Sequence, residues 1–243
     1  MGKAEVIALL LILLALLFLA LAWVQIRRRR ALYARPLSAF DQIPAELGHA
    51  AEAGQALHLG LGWGGIGGSQ TGTSLAGLQV LEGIADAATA YSTPPIVTVG
   101  DPTLMLLAQD ALRRASNRLG APERYDPAAV RFIAADPVVY ALGAADFVRH
   151  DRVMGNVLAG AYEEEVALIA AAGIGARQMV AADRLRAASA LYPADTSLAV
   201  GEEFYAGGAR LVRLPQYLAS LRAQDVLRFV IIALILLKVL GLF

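Results

Sequence analysis

Residues 56–73 read ALHLGLGWGGIGGSQTGT, and this stretch decides the fold class. Ala56 to Gly62 is a short apolar run closing in glycines, the pattern of a strand buried on both faces. Leu75, Leu78, Leu81 and Ile84 then recur at helical spacing, which predicts a helix from Thr73 to Tyr91. Strand, glycine-rich loop and helix in this order form the first unit of a Rossmann-like sheet.

The same unit recurs down the chain. Pro95 to Gly100 (PIVTVG) is short and β-branched, and Asp101-Pro102 opens a helix to about Arg118 with Asp as N-cap and Pro at N1. Val130 to Ala134 is a third strand, and Asp136-Pro137 opens a helix to about His150. These two units look alike around their Asp-Pro pairs, and shared cap chemistry accounts for the likeness. Asn156 to Gly160 reads as a fourth strand, with a helix from Glu163 to Ala172 ended by Gly173. Gln178 to Ala182 is a fifth strand, with a helix after Asp183 running to Leu191. Leu198 to Val200 is a weaker sixth. Strands alternating with helices predict an α/β fold with a doubly wound, mostly parallel sheet.

The ends are different. Hydrophobic residues are 57% of the 243 residues and charged ones 17%, against averages of roughly 45–50% and 25%. The excess lies in two runs. Val6 to Ile26 has Gln25 as its one polar side chain and is followed by Arg27, Arg28, Arg29 and Arg30. Val226 to Phe243 is apolar except for Arg228 and Lys238. Both are expected to span a bilayer. The arginines, Arg228 included, orient the spans with both termini outside and the middle in the cytoplasm. The expected organisation is an anchor at 1–30, a cytoplasmic Rossmann-like domain at 31–225 and a C-terminal transmembrane helix at 226–243. The middle segment has 14 arginines, no lysine and 20 acidic residues, a net charge of −6, which makes nucleic acid a poor partner. With no cysteine, disulfides, thiol catalysis and thiolate metal sites are excluded.

The chemistry is confined to the strand ends. Gly60, Gly62 and Gly65 fit G-x-G-x-x-G, as do Gly62, Gly64 and Gly67. Such glycines let backbone amides approach a pyrophosphate at a helix N-terminus, with Ser69, Thr71 and Thr73 as added hydroxyl donors. The loop is longer than the tight Rossmann turn. Asp101, the acid at the second strand, follows Gly65 by 36 residues where about 20 is usual. No lysine follows the glycines, so the loop is not a Walker A motif. Asp101, Asp136, Glu163 to Glu165 and Asp183 all fall at strand ends, where caps and first-turn acids are expected and a Mg²⁺ cluster is the rarer outcome. His49, His58 and His150 are not spaced as ligands, and His58, within a strand, is expected to be packed or hydrogen-bonded in the core; no nucleophile elbow is present, and neither a metal nor a cofactor is predicted.

The stretches HLGLGWGGIGGSQTGTSLAGL, TPPIVTVGDPTLMLLAQDALRRA and LASLRAQDVLRFVIIALIL resemble an uncharacterised bacterial family, domain of unknown function 6754, along nearly the whole chain. The resemblance implies a membrane-anchored domain and brings no activity, cofactor or catalytic residue; with the two expected spans, the bacterial inner membrane is the expected location.

Two functions remain open. In the first, favoured because no catalytic constellation is legible, the domain is a non-catalytic subunit. It forms homo-oligomers or docks other membrane subunits beneath the bilayer, with Trp63 and Ile66 at the loop tip as contacts. In the second, a nucleotide-like ligand or metabolite occupies the glycine loop at 60–68, in a sensor or an enzyme.

Overall fold

The computed structural model describes residues 36–151, 153–193, 196–212 and 215–240, together with 5, 9, 12–14, 16–18, 20, 21 and 24. The chain forms two compact units, residues 37–212, and residues 1–36 with 213–243.

The 37–212 unit is an α/β sandwich around one sheet. After a helical turn at Ser38–Asp41 come α1 (Ile43–Ala53), β1 (Leu57–Gly62), α2 (Thr71–Ala90), β2 (Ile96–Val99) and α3 (Pro102–Arg118). Then follow β3 (Val130–Phe132), α4 (Pro137–His150), β4 (Gly155–Ala161), α5 (Val166–Ala172) and β5 (Arg177–Ala182). A 3-10 turn at Leu185–Leu191 leads to β6 (Thr196–Val200) and α6 (Glu202–Val212). The six strands stand in the order β3-β2-β1-β4-β5-β6, and every neighbouring pair is parallel. The order reverses between β1 and β4, the place where open α/β sheets form their crevice.

Local chemistry explains the elements. β1 and β4 are buried along their whole length, consistent with helices on both faces. Helix α2 packs against α3 and α6; α5 packs against α4 and the 3-10 turn. The Asp-Pro pairs act as caps. Asp101 Oδ1 accepts from Leu104 N at 2.8 Å, and Asp136 Oδ1 accepts from the amides of Val138 and Val139 at 3.0 Å. Two elements depart from expectation. Glu163 to Glu165 precede α5 rather than open it, and the segment after Asp183 is a 3-10 turn, not an α-helix.

In the other unit, the described residues before 25 are helical, and α7 runs from Pro215 to Val239. Among the described residues no helix is long and apolar enough to cross a membrane. This corrects the expected transmembrane helices, and with them the two-span inner-membrane placement with termini outside and the middle in the cytoplasm. The physical reason is visible in α7. It has length, but Arg222, Asp225 and Arg228 lie in it and Lys238 comes just before its end. The uncharged stretch between Arg228 and Lys238 rises only about 14 Å at ~1.5 Å per residue, against ~30 Å of hydrocarbon. Helix α7 ends at Val239, with Leu240 in a turn, and residues 241–243 of the expected span lie outside the described residues. The first expected span, Val6 to Ile26, and the arginines at 27–30 lie for the most part outside the described residues.

Candidate functional site

The glycine-rich loop, residues 63–70, joins β1 to α2 at the carboxyl end of the sheet, beside the β1/β4 reversal. Its glycines divide into two groups. A Cβ at Gly60 would run into the Tyr162 hydroxyl and stand 2.8 Å from Leu158 Cδ2. Gly62 has φ +78°, and a Cβ there would meet the Ala161 backbone, where the β1–β4 register shifts. Gly64 lies against Ala161 and Ser74, and Gly65 against the Asp101 carboxylate, with 2.7 Å from a Gly65 Cβ position to Oδ2. These four are filled by the protein's own atoms. Gly67, Gly68 and Gly72, by contrast, face open space. The Gly67 N–H donates to Thr71 Oγ1 at 2.9 Å, and that hydroxyl donates to Gly68 O at 2.8 Å, folding the loop onto the start of α2. Ser69 is exposed.

Most of the strand-end acids have partners. Asp101 and Asp136 cap helices. Glu163 pairs with Arg184 and, at 3.4 Å, with Arg186. Glu165 Oε1 accepts from Trp63 Nε1 at 3.0 Å and from the Glu163 amide at 2.9 Å. Asp183 Oδ2 accepts from Thr73 Oγ1 at 3.0 Å, and the Thr73 hydroxyl lies 3.3 Å from Tyr205 Oη. Asp183 Oδ1 and Gln70 Oε1 are buried without a hydrogen-bond partner. Trp63 and Ile66 are both half-buried, and Trp63 packs on the Tyr140–Tyr162–Leu158 core. Among the described residues no group of three or more His, Asp or Glu side chains is placed to hold a metal ion.

Beneath the loop runs a buried polar chain, of which sequence reasoning found only His58. Tyr140 Oη accepts from Gly62 N at 3.2 Å and lies 3.0 Å from Thr98 Oγ1 and 3.3 Å from Tyr162 Oη. Thr98 Oγ1 is 2.9 Å from His58 Nε2, and His58 Nδ1 is 2.7 Å from Asn156 Oδ1. Asn156 Nδ2 donates to Gln178 Oε1 at 3.1 Å. Burial lowers the His58 pKa from 6.5 to about 4, against the opposing effects of the Asn156 hydrogen bond and the Asp151 charge. Burial likewise raises both tyrosines, Tyr162 well above its ordinary value. The legible signal was Asn156, Gln178 and His58, each a polar residue beside the apolar run of its strand. His49 and His150 take no part; His150 is exposed and bonds within its own helix.

Chemically, the site offers open glycines at 67, 68 and 72 around the start of α2, and acids engaged in caps, ion pairs or hydrogen bonds, with Asp183 Oδ1 alone left without a partner among those named. No curated protein and no solved structure matches the chain. The model of one family, described as a domain of unknown function (DUF6754), matches residues 1–242, and the chain belongs to that family.

Proposed function

We propose that residues 37–212 form a non-catalytic assembly module that pairs with a second copy of itself along the β3 edge of the sheet. The observation that carries this reading is an uncovered apolar edge. Among the described residues no strand pairs with the outer side of β3. Phe132 in β3, Leu106 on α3, and Val138, Val139 and Leu142 on α4 are all exposed. The opposite edge is different: the Ser38–Asp41 turn lies beside β6, and Ser197 Oγ donates to Gln42 Oε1 at 3.4 Å. An edge strand offers the same unpaired backbone groups in every copy, so two edges can pair about a two-fold axis. The engagement of the strand-end acids supports a non-catalytic role. The half-buried, hydrogen-bonded Trp63 is a poorer contact than this edge, so the loop tip is not part of the proposed interface. The test is mass by native mass spectrometry and light scattering at micromolar concentration. Phe132→Asp with Val139→Glu is expected to shift a dimer to monomer. A wild-type protein that is monomeric throughout overturns the reading.

A second reading, a nucleotide-like or other anionic ligand at the loop, is favoured by one observation. The open glycines at 67, 68 and 72 stand at the start of a 20-residue helix beside the strand reversal. The Asp101 carboxylate against Gly65 opposes it by like-charge repulsion. A nucleotide released from the purified protein, and lost in Gly68→Val without loss of fold, is the result expected of that reading.

A further inference from the structure

Four buried polar side chains fall on one row of the sheet. His58 on β1 stands directly opposite Asn156 on β4, Asn156 opposite Gln178 on β5, and Gln178 opposite Thr196 on β6. All four are buried. The row is anchored at one end by backbone. Gln178 Nε2 donates to Ala170 O at 2.9 Å and to Gly173 O at 3.0 Å, and Gly173 leaves room for the amide because a Cβ there would stand 3.0 Å from it.

Those two carbonyls set the direction of every bond that follows. Carbonyls only accept, so the Gln178 amide nitrogen faces them and Oε1 faces Asn156. Asn156 therefore donates through Nδ2 and presents Oδ1 to His58. An amide oxygen only accepts, so His58 carries its proton on Nδ1. With Nδ1 protonated and the ring neutral, Nε2 is bare and accepts from the Thr98 hydroxyl. With the Thr98 proton turned to His58, the Tyr140 hydroxyl donates towards Thr98, whose Oγ1 lies at 3.0 Å and backbone O at 3.3 Å, and the Tyr140 oxygen accepts from Gly62 N. One proton order runs from the α5 C-terminus to the glycine loop.

We propose that this row is a register lock, which selects the neighbours of β1 and the alignment of β1, β4 and β5. The strand sequences alone discriminate poorly. LHLGLG, GNVLAGA and RQMVAA are short, apolar and rich in small residues, and a parallel pair shifted by two residues keeps the same faces buried. Close glycine contacts such as Gly62 against Ala161 also mark the native alignment, but the polar residues are the ones that leave a buried group unsatisfied in every other. In any shifted register His58, Asn156 and Gln178 lose their partners, and each is left as a buried unsatisfied group. A buried polar contact that fixes register is a recognised physical role, distinct from adding stability.

The experiment is NMR on the full chain, using imidazole ¹⁵N shifts and cross-strand contacts between β1 and β4. In the wild type His58 is expected to be protonated at Nδ1 and bare at Nε2; the opposite tautomer overturns the proposal. In Gln178→Met the Asn156 amide is free to turn, and His58 is expected to become a mixture of tautomers. A single, unchanged Nδ1–H tautomer in that variant overturns the directional chain. In the triple variant His58→Leu, Asn156→Leu, Gln178→Met the chain is expected to stay compact but show doubled or broadened strand resonances. A single sharp set with the wild-type β1–β4 contacts overturns the lock. If the triple variant does not fold, Asn156→Leu, which removes the central link of the row alone, is read by the same cross-strand contacts, and a single sharp wild-type register there overturns the lock.

Discussion

Gly62 donates its backbone N–H to the Tyr140 hydroxyl at 3.2 Å, tying the last residue of β1 to the crossover helix between β3 and β4. The bond is buried, and it joins the one irregular point of the β1–β4 register to the polar chain beneath. Removing the hydroxyl strands a buried donor. Tyr140→Phe is expected to lower unfolding free energy by about 1–3 kcal/mol with the slope of the urea transition unchanged. A midpoint equal to wild type would show that Gly62 finds another acceptor.

The two groups of glycines separate packing from ligand approach. Gly60→Ala forces a methyl into the Tyr162 and Tyr140 hydroxyls and Leu158, and overpacking of this kind costs about 1–3 kcal/mol. Gly68→Ala adds a methyl facing open space and is expected to change stability by no more than about 0.5 kcal/mol. Both are read by chemical denaturation in the absence of added ligand. Equal losses at the two positions would contradict the division.

His58 makes stability depend on acid. Its pKa falls from 6.5 to about 4 because the ring is buried. Above the unfolded value both states are neutral and the residue contributes nothing to the slope. As pH falls from 6.5 towards 4, the unfolded chain binds a proton that the folded chain refuses, so stability declines. Below the folded value the loss levels off at about 3 kcal/mol. His58→Gln is expected to have a flatter stability profile across that window than the wild type. Parallel profiles would mean that His58 titrates normally in the folded protein.

The two Asp-Pro caps offer a paired comparison. Asp136→Ala removes the acceptor for two amides and Asp101→Ala for one. Each is expected to cost about 1 kcal/mol, within the usual ~0.5–2 kcal/mol for a cap. Asp101→Ala also removes the carboxylate facing Gly65, so any phosphate-bearing compound that binds the loop should bind it more tightly in this variant, as calorimetry would report.

Much of the fold was legible because its signals are local. A short apolar run such as Leu57 to Gly62, or an Asp-Pro pair such as Asp136-Pro137, acts through residues a few positions apart, so strand, cap and helix can be read in order. Reading a span from Val226 to Phe243 failed for the complementary reason. Hydropathy marks an apolar run but does not say where the helix carrying it begins, which charged side chains it includes, or that it ends at Val239.

By its sequence alone the chain determined an α/β alternation, its capped helices and a glycine-rich loop after the first strand. Only the tertiary structure decided what the glycines are for. Gly60 is small because hydroxyls from Tyr140 and Tyr162, 80 and more residues downstream, occupy the space beside it. It also decided that His58 is neutral and bonded on both sides, since Thr98 and Asn156 reach it from β2 and β4. Close approach and desolvation are properties of residues distant in sequence, and they come into being only when the strands are laid side by side.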